Sequence, residues 1–411
     1  MSTTPLIIPP VSIHPPVSIH LPVGRIASMD QFRGYAVLGM FVVNFVASLA
    51  AISNQLKHNS LYFSLADSIM PSFLFAAGFS FRLTLLRRVD QPGRKWFRPT
   101  LIRSLMLILV SMTYFGLGQR IPSWAALTSG GGFGFIAQTL KADLWNVLAI
   151  IGATQLLILP VVRSTPWVRI LSAVAFIILH VLLSYSFNYD FVYGRPNAMD
   201  PWWGAAGIRA WDGGFFGLLM WCVPMLAGTL AYDLVTLSKE NDSCAKLLFV
   251  GFGLMMAGYL LSCLGTLFQA ETVSPVLPPL GEIAQRSPHA MLADSPFEPP
   301  DLSIRAPNYW MMDKRIVSAP FILFSSGFAF AIYSLFVWAC DRQGLKCDYF
   351  RMLGQNPLAA YLLHYPIFKS VLAIVPKDAP LGWCLLGLSL YLAIMTLFLK
   401  FLDRHKLYLR L

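Results

Sequence analysis

The chain has 411 residues, of which 56% are hydrophobic and only 12% charged, with a formal net charge of +11 and a mean hydropathy of +0.61. A water-soluble domain carries about 25% charged residues; half that number cannot coat a water-facing surface, so the remaining surface must face lipid. The basic excess does not indicate a nucleic-acid partner either, because Lys and Arg lie between apolar runs, where they retain loops on one side of a membrane and meet anionic lipid headgroups.

Residues 1–24 contain no Lys or Arg and repeat PPVSIH at 9–14 and 15–20, which reads as a flexible proline-rich tail without a cleavable signal. From residue 25 to 411 the chain reads as one transmembrane domain. A crossing of ~30 Å of hydrocarbon needs about 20 apolar residues. Such stretches fall at 33–52, 66–85, 101–117, 144–162, 169–187, 214–234, 247–268, 317–340, 357–375 and 381–402. They predict an all-α polytopic membrane protein of about ten transmembrane helices. If odd-numbered helices leave the cytoplasm, both termini are cytoplasmic and 20 of the 31 Lys and Arg residues lie inside, as the positive-inside rule requires.

Two outer segments exceed simple connectors. Residues 188–213 carry Trp202, Trp203 and Trp211 beside Asp190, Asp200 and Asp212, and residues 269–316 carry eight prolines. The first suits a carbohydrate-facing surface, in which aromatic faces stack on sugar rings and carboxylates accept hydrogen bonds from hydroxyl or ammonium groups. An interfacial aromatic belt accounts for the tryptophans as well. The proline-rich centre of the second reads as disordered. The six cysteines show no metal-ligand spacing, and His14 and His20 sit on the tail; no metal site and no extracytoplasmic disulfide are expected.

Polar groups inside apolar helices are costly and by default mark a site or a pathway. Asn44 lies in the first helix, Asp67 in the first turn of the second, and His364 eight residues after Asn356 in the ninth, about 12 Å into it. His58 lies in the short loop between the first two helices. Within that one hairpin Asn44, His58 and Asp67 can converge. A neutral imidazole there accepts a proton near neutral pH while a carboxylate orients its other nitrogen.

The segments RIASMDQFRGYAVLGMFVVNF and KHNSLYFSLADSIMPSFLFAAGFS resemble the opening of the catalytic domain of the heparan-α-glucosaminide N-acetyltransferase family. The matching positions include Arg25, Asp30, Arg33, Gly34, Asn44, Lys57, His58, Asp67, Pro71 and Gly78. Weaker echoes follow at 145–152, 211–219, 314–321 and 353–364. The resemblance implies an acetyl-CoA-dependent transmembrane N-acetyltransferase that moves an acetyl group from the cytoplasm to an amino sugar or glycan outside. It also implies that His58 is catalytic and that Asn44 and Asp67 share its site. Trp211, Asp212, Asn356 and His364 are the expected acceptor-side residues. Arg33, Arg87, Arg88 and Lys346 offer a basic surface for the CoA phosphates, which positive-inside retention explains equally well. The large luminal domain of the animal enzymes has no counterpart in the sequence, which suggests a bacterial inner membrane. An O-acyltransferase for glycan or lipid-carrier hydroxyls and a small-solute transporter stay open as alternatives, as does a homodimer.

Overall fold

A computed structural model describes residues 26–88, 93–115, 120–237, 243–268, 274–279, 281 and 287–409; the tail at 1–24 lies outside them. Every regular element among the described residues is a helix. The principal ones are α1 (Ala27–Val46), α2 (Ile69–Leu86) and α3 (Gly93–Phe115), then α4 (Gly132–Asp143), α5 (Val147–Ile158) and α6 (Pro166–Tyr193). They are followed by α7 (Gly214–Leu237), α8 (Ser243–Leu267) and α9 (Ala319–Arg342), and α10 (Asp348–Gln355), α11 (Pro357–Leu372) and α12 (Leu381–Arg404).

Helices occupy all ten expected places, but among the described residues six are long and apolar enough to cross a membrane by themselves. A seventh span results if α4 and α5, bent by 89° at their junction, count as one. The first, third and ninth expected spans do not qualify. Asp30, Gln31 and Arg33 occupy the start of α1, α3 opens on Arg94, Lys95 and Arg98, and α11 has 16 residues, about 24 Å of rise.

α2 and α7 are mostly buried, whereas α6 and α12 turn most of their residues outward. The outward side chains are apolar, among them Leu171, Ile178, Leu182, Leu397 and Phe401. Such surface is stable only against lipid. α2 and α7 cross through two glycines. A Cβ at Gly78 would sit 1.9 Å from the carbonyl oxygen of Met225, and one at Gly228 1.9 Å from that of Phe75. The motif glycine Gly78 thus permits backbone contact between helices.

Arg82 and Arg169, counted above with the cytoplasmic charges, are buried inside the bundle. Arg82 holds the Asp233 carboxylate with Nε at 3.1 Å and Nη2 at 3.2 Å, and Arg169 completes the pairing from α6. One carboxylate on α7 therefore ties α2 to α6, and removing it would strand two buried cations.

The two long segments are largely structured. Residues 189–193 continue α6 and end at Gly194, whose φ is 67°. Residues 269–273, 280 and 282–286 of the proline-rich segment lie outside the described residues, but 287–316 pack onto the α1–α2 hairpin and onto α8. Phe63 N–H donates to the Pro296 carbonyl at 2.7 Å and Tyr259 Oη to that of Ala293 at 2.9 Å. Disorder is therefore the wrong reading for this part, since backbone partners are supplied by neighbouring elements.

Candidate active site

A chamber of about 510 Å³ opens where α1, α2 and α11 meet the loops. Three helices line it with stripes at helical spacing: Met40, Val43 and Asn44 from α1, with Ala47 just past its end, Ile69, Met70 and Phe73 from α2, and Tyr361, His364, Tyr365 and Phe368 from α11. Such spacing keeps side chains on one face. His58, Trp211, Asp212 and Lys314 close it from the loops.

The loop carrying His58 is held by a short 3₁₀ turn at Asn54–Leu56, capped by the Ser53 hydroxyl. His58 Nδ1 lies 2.9 Å from Oδ1 of Asp67, whose side chain is wholly buried. The second carboxylate oxygen accepts from the Ser64 hydroxyl at 2.7 Å and from Asn59 N–H at 3.2 Å. Asp67 is thereby fixed behind the imidazole, the arrangement that orients a general base.

Asn44 and His364 form a second pair, 3.2 Å between Nδ2 and Nε2. His364 Nδ1 donates to the Tyr361 carbonyl; a carbonyl only accepts, so Nδ1 carries the proton and Nε2 must accept. The Asn44 amide nitrogen is therefore directed by His364 while the residue lines the chamber.

Lys314 was not singled out in the sequence, where it counted among the loop charges. Its Nζ lies 3.1 Å from His58 Nδ1, 3.4 Å from Asp67 Oδ1 and 3.9 Å from Asp212 Oδ1. The turn bearing it is organised by Asp313, which accepts from Arg315 N–H at 2.8 Å and Ile316 N–H at 3.4 Å. Ser318 caps α9 at the end of the same turn. The weak echo at 314–321 was the only signal for this cation. Asp143 also lines the chamber. Burial raises the pKa of Asp212, and Lys314 opposes that.

A second chamber of about 380 Å³ is lined by Arg33, Arg103, Gln155, Gln355 and Leu409 among others. Phe73, Val147 and Tyr361 line both, so the two chambers abut at these side chains. Arg33 donates to Asp30 at 3.0 Å and to Ser80. Arg103 is a further residue that the sequence did not single out. Of the expected phosphate contacts, Arg87, Arg88 and Lys346 line neither chamber. Asn356 is also absent from the first. Its amide donates to the Leu407 carbonyl at 2.8 Å and accepts from Leu409 N–H at 3.1 Å, which holds the C-terminal segment against the second chamber. Asn44, His58, Trp211, Asp212 and His364 do converge on the first, with Asp67 behind.

Among the described residues no group of three or more His, Cys, Asp or Glu is disposed to hold a metal ion. A carboxylate-oriented histidine on a polar chamber within an apolar helical bundle defines an integral membrane protein equipped for acid–base chemistry. The chain matches the family described as heparan-alpha-glucosaminide N-acetyltransferase, catalytic, over residues 25–261, more than half its length. It belongs to that family, and is thereby a transferase of the N-acetyltransferase type. The match contains Asn44, His58, Asp67, Trp211 and Asp212 and ends before Lys314 and His364. Among curated proteins none matches the chain.

Proposed function

We propose that the protein transfers an acetyl group from cytoplasmic acetyl-CoA to the amine of an amino sugar or glycan on the extracytoplasmic side. The observation that carries this reading is the pair of abutting chambers, lined continuously by α1, α2 and α11. Arg33 and Asn44 are eleven positions apart on one helix, about 16 Å. A long donor with an anionic head and a reactive tip suits such a path. The head would lie by Arg33 and Arg103, with the pantetheine arm running past Phe73 and Tyr361 towards His58.

In the histidine chamber His58 Nε2 takes a proton from the acceptor amine as nitrogen attacks the thioester carbon. Asn44 donates to the developing oxyanion. The C–N bond forms, the C–S bond breaks, and the departing thiolate takes the proton from His58. Trp211 packs against the sugar. Membership of a family described as heparan-alpha-glucosaminide N-acetyltransferase favours an acceptor that offers an amine over one that offers only hydroxyls.

Purified protein should release CoA from acetyl-CoA when given glucosamine, and far more slowly with glucose. No release with any amino sugar would overturn the reading, and a faster reaction with glucose would reverse the acceptor class. His58→Ala should lose transfer by at least roughly 100-fold while still binding CoA, because the nucleotide occupies the other chamber. Single-turnover labelling without acceptor separates direct transfer from a brief acetyl-histidine: label on the parent that is absent from His58→Ala indicates the latter.

A further inference from the structure

Nδ1 of His58 has two neighbours with opposite requirements. It lies 2.9 Å from a carboxylate oxygen of Asp67 and 3.1 Å from the ammonium of Lys314. A neutral imidazole carries one N–H and one lone pair. The contact with Asp67 is a hydrogen bond only if Nδ1 holds the proton, and the contact with Lys314 only if Nδ1 is bare. The two arrangements are the two tautomers. With Nδ1–H on Asp67, Nε2 has the lone pair that takes a proton from an amine. With Lys314 on Nδ1, Nε2 is protonated and His58 is no base.

Lys314 has somewhere else to go. Its side chain is 4% exposed, so water does not hold the ammonium. Oδ1 of Asp212, at 3.9 Å, is buried with no hydrogen-bond partner among the described residues. A shift of about 1 Å would bring Nζ into bonding range of it. Asp212 itself is fixed. Its backbone is left-handed at φ 52°, with Gly213 and Gly214 left-handed after it. Its carbonyl accepts from the Trp221 indole at 2.9 Å, and Gly213 N–H donates to the Arg315 carbonyl at 2.7 Å. Left-handed backbone at a non-glycine residue is strained and persists only where surroundings enforce it. The turn of Lys314 and the turn of Asp212 are thus clasped together, and the flexible lysine stem is what can move between partners.

We propose that Lys314 and Asp212 set the tautomer of His58. Lys314 on Asp212 leaves Nδ1–H to Asp67 and makes His58 a base; Lys314 on Nδ1 holds it in the inactive form. When His58 takes the proton of the amine, both ring nitrogens carry hydrogen and the ammonium must rest on Asp212. Passing that proton to the CoA thiolate restores the bare Nε2. Lys314 and Asp212 are positioning residues in this scheme, which rests on His58 acting as the base. The other titratable groups facing the chamber are Asp143, His364, Tyr361 and Tyr365.

The test combines steady-state kinetics with ¹⁵N-histidine NMR on the full-length protein in detergent. In Asp212→Asn the ammonium loses the carboxylate that draws it away from the His58–Asp67 pair and stays at Nδ1, beside Asp67 Oδ1. The turnover number should fall about tenfold or more with the acceptor KM unchanged, and the Nε2–H tautomer of His58 should gain population. Adding Lys314→Met should return the rate to that of Lys314→Met alone, because Nδ1 then has only Asp67. An Asp212→Asn protein with normal turnover, a loss confined to acceptor KM, or a double variant showing the product of the two single losses would each overturn the assignment. Should Lys314→Met fail to fold, the tautomer population in Asp212→Asn decides the matter. Normal transfer by His58→Ala would instead remove the base reading itself. An inactive His58→Ala with an unaffected Asp212→Asn removes only the roles of Lys314 and Asp212.

Discussion

At the scale of single residues, Asp67 does two jobs that the sequence suggested only in part. It orients His58, as the nine-residue spacing within one hairpin allowed, and it also faces Lys314. Asp67→Asn should therefore slow transfer and lower stability together, since it removes one of the two carboxylates that face the buried Lys314 ammonium, a loss of about 2 kcal/mol. The double variant Asp67→Asn/Lys314→Met separates the effects. Its thermal midpoint should recover towards the parent while its rate stays low. Recovery of both would reduce Asp67 to a packing residue. His364, expected on the acceptor side, lines the chamber and in addition accepts from the Asn44 amide, because its own proton is committed to the Tyr361 carbonyl.

At the scale of elements, two local devices hold the site. The α2–α7 crossing brings backbones into contact at Gly78 and Gly228, and a methyl at Gly78 would overlap the Met225 carbonyl. Gly78→Ala should cost about 3 kcal/mol or prevent folding, seen as a lowered thermal midpoint in detergent; a midpoint equal to the parent's would refute the contact. The second device is the turn around Asp313. Burial pushes its carboxyl up to about 7 despite hydrogen bonds from Tyr193 and two backbone N–H groups, well above the ~3.9 of an unfolded chain. Between those values the folded state keeps a proton that the unfolded state has released. The stability from this group is therefore full below about pH 4 and is lost as pH rises through about 7. The thermal midpoint of the parent should fall more steeply than that of Asp313→Asn between about pH 4 and about pH 7. Parallel curves would show that Asp313 does not titrate there.

At the scale of the whole molecule, the proposed direction of transfer depends on topology. The 20-to-11 division of basic residues, 18 to 11 once the buried Arg82 and Arg169 are set aside, is the ground for expecting the α2–α3 connection in the cytoplasm and His58 outside. In a variant lacking the native cysteines, Arg94→Cys should react with a membrane-impermeant thiol reagent only from the cytoplasmic face of sealed vesicles, and His58→Cys only from the other. Labelling of position 94 from outside would reverse the scheme.

Composition alone was enough to set the class, because a chain with so few charges has no way to cover itself in water. Apolar runs located ten of the twelve principal helices, all but α4 and α10, since hydrophobic length is a local property. The Asp67–His58 pair was legible for the same reason: both residues sit in one hairpin and can meet without help from the rest of the chain. Which helices qualify as spans was less legible, because α1 and α3 carry charge and α11 is short. The remaining parts of the site depend on contacts that no local pattern encodes. Lys314 reaches His58 across 256 positions and His364 reaches Asn44 across 320. Arg103 displaced Arg87, Arg88 and Lys346 because lining a chamber depends on which face of a helix packs inward. A lone lysine in a proline-rich loop looks like any solvated charge until the fold buries it between two carboxylates and an imidazole. Its desolvation, which only tertiary packing produces, is what makes its choice of partner matter.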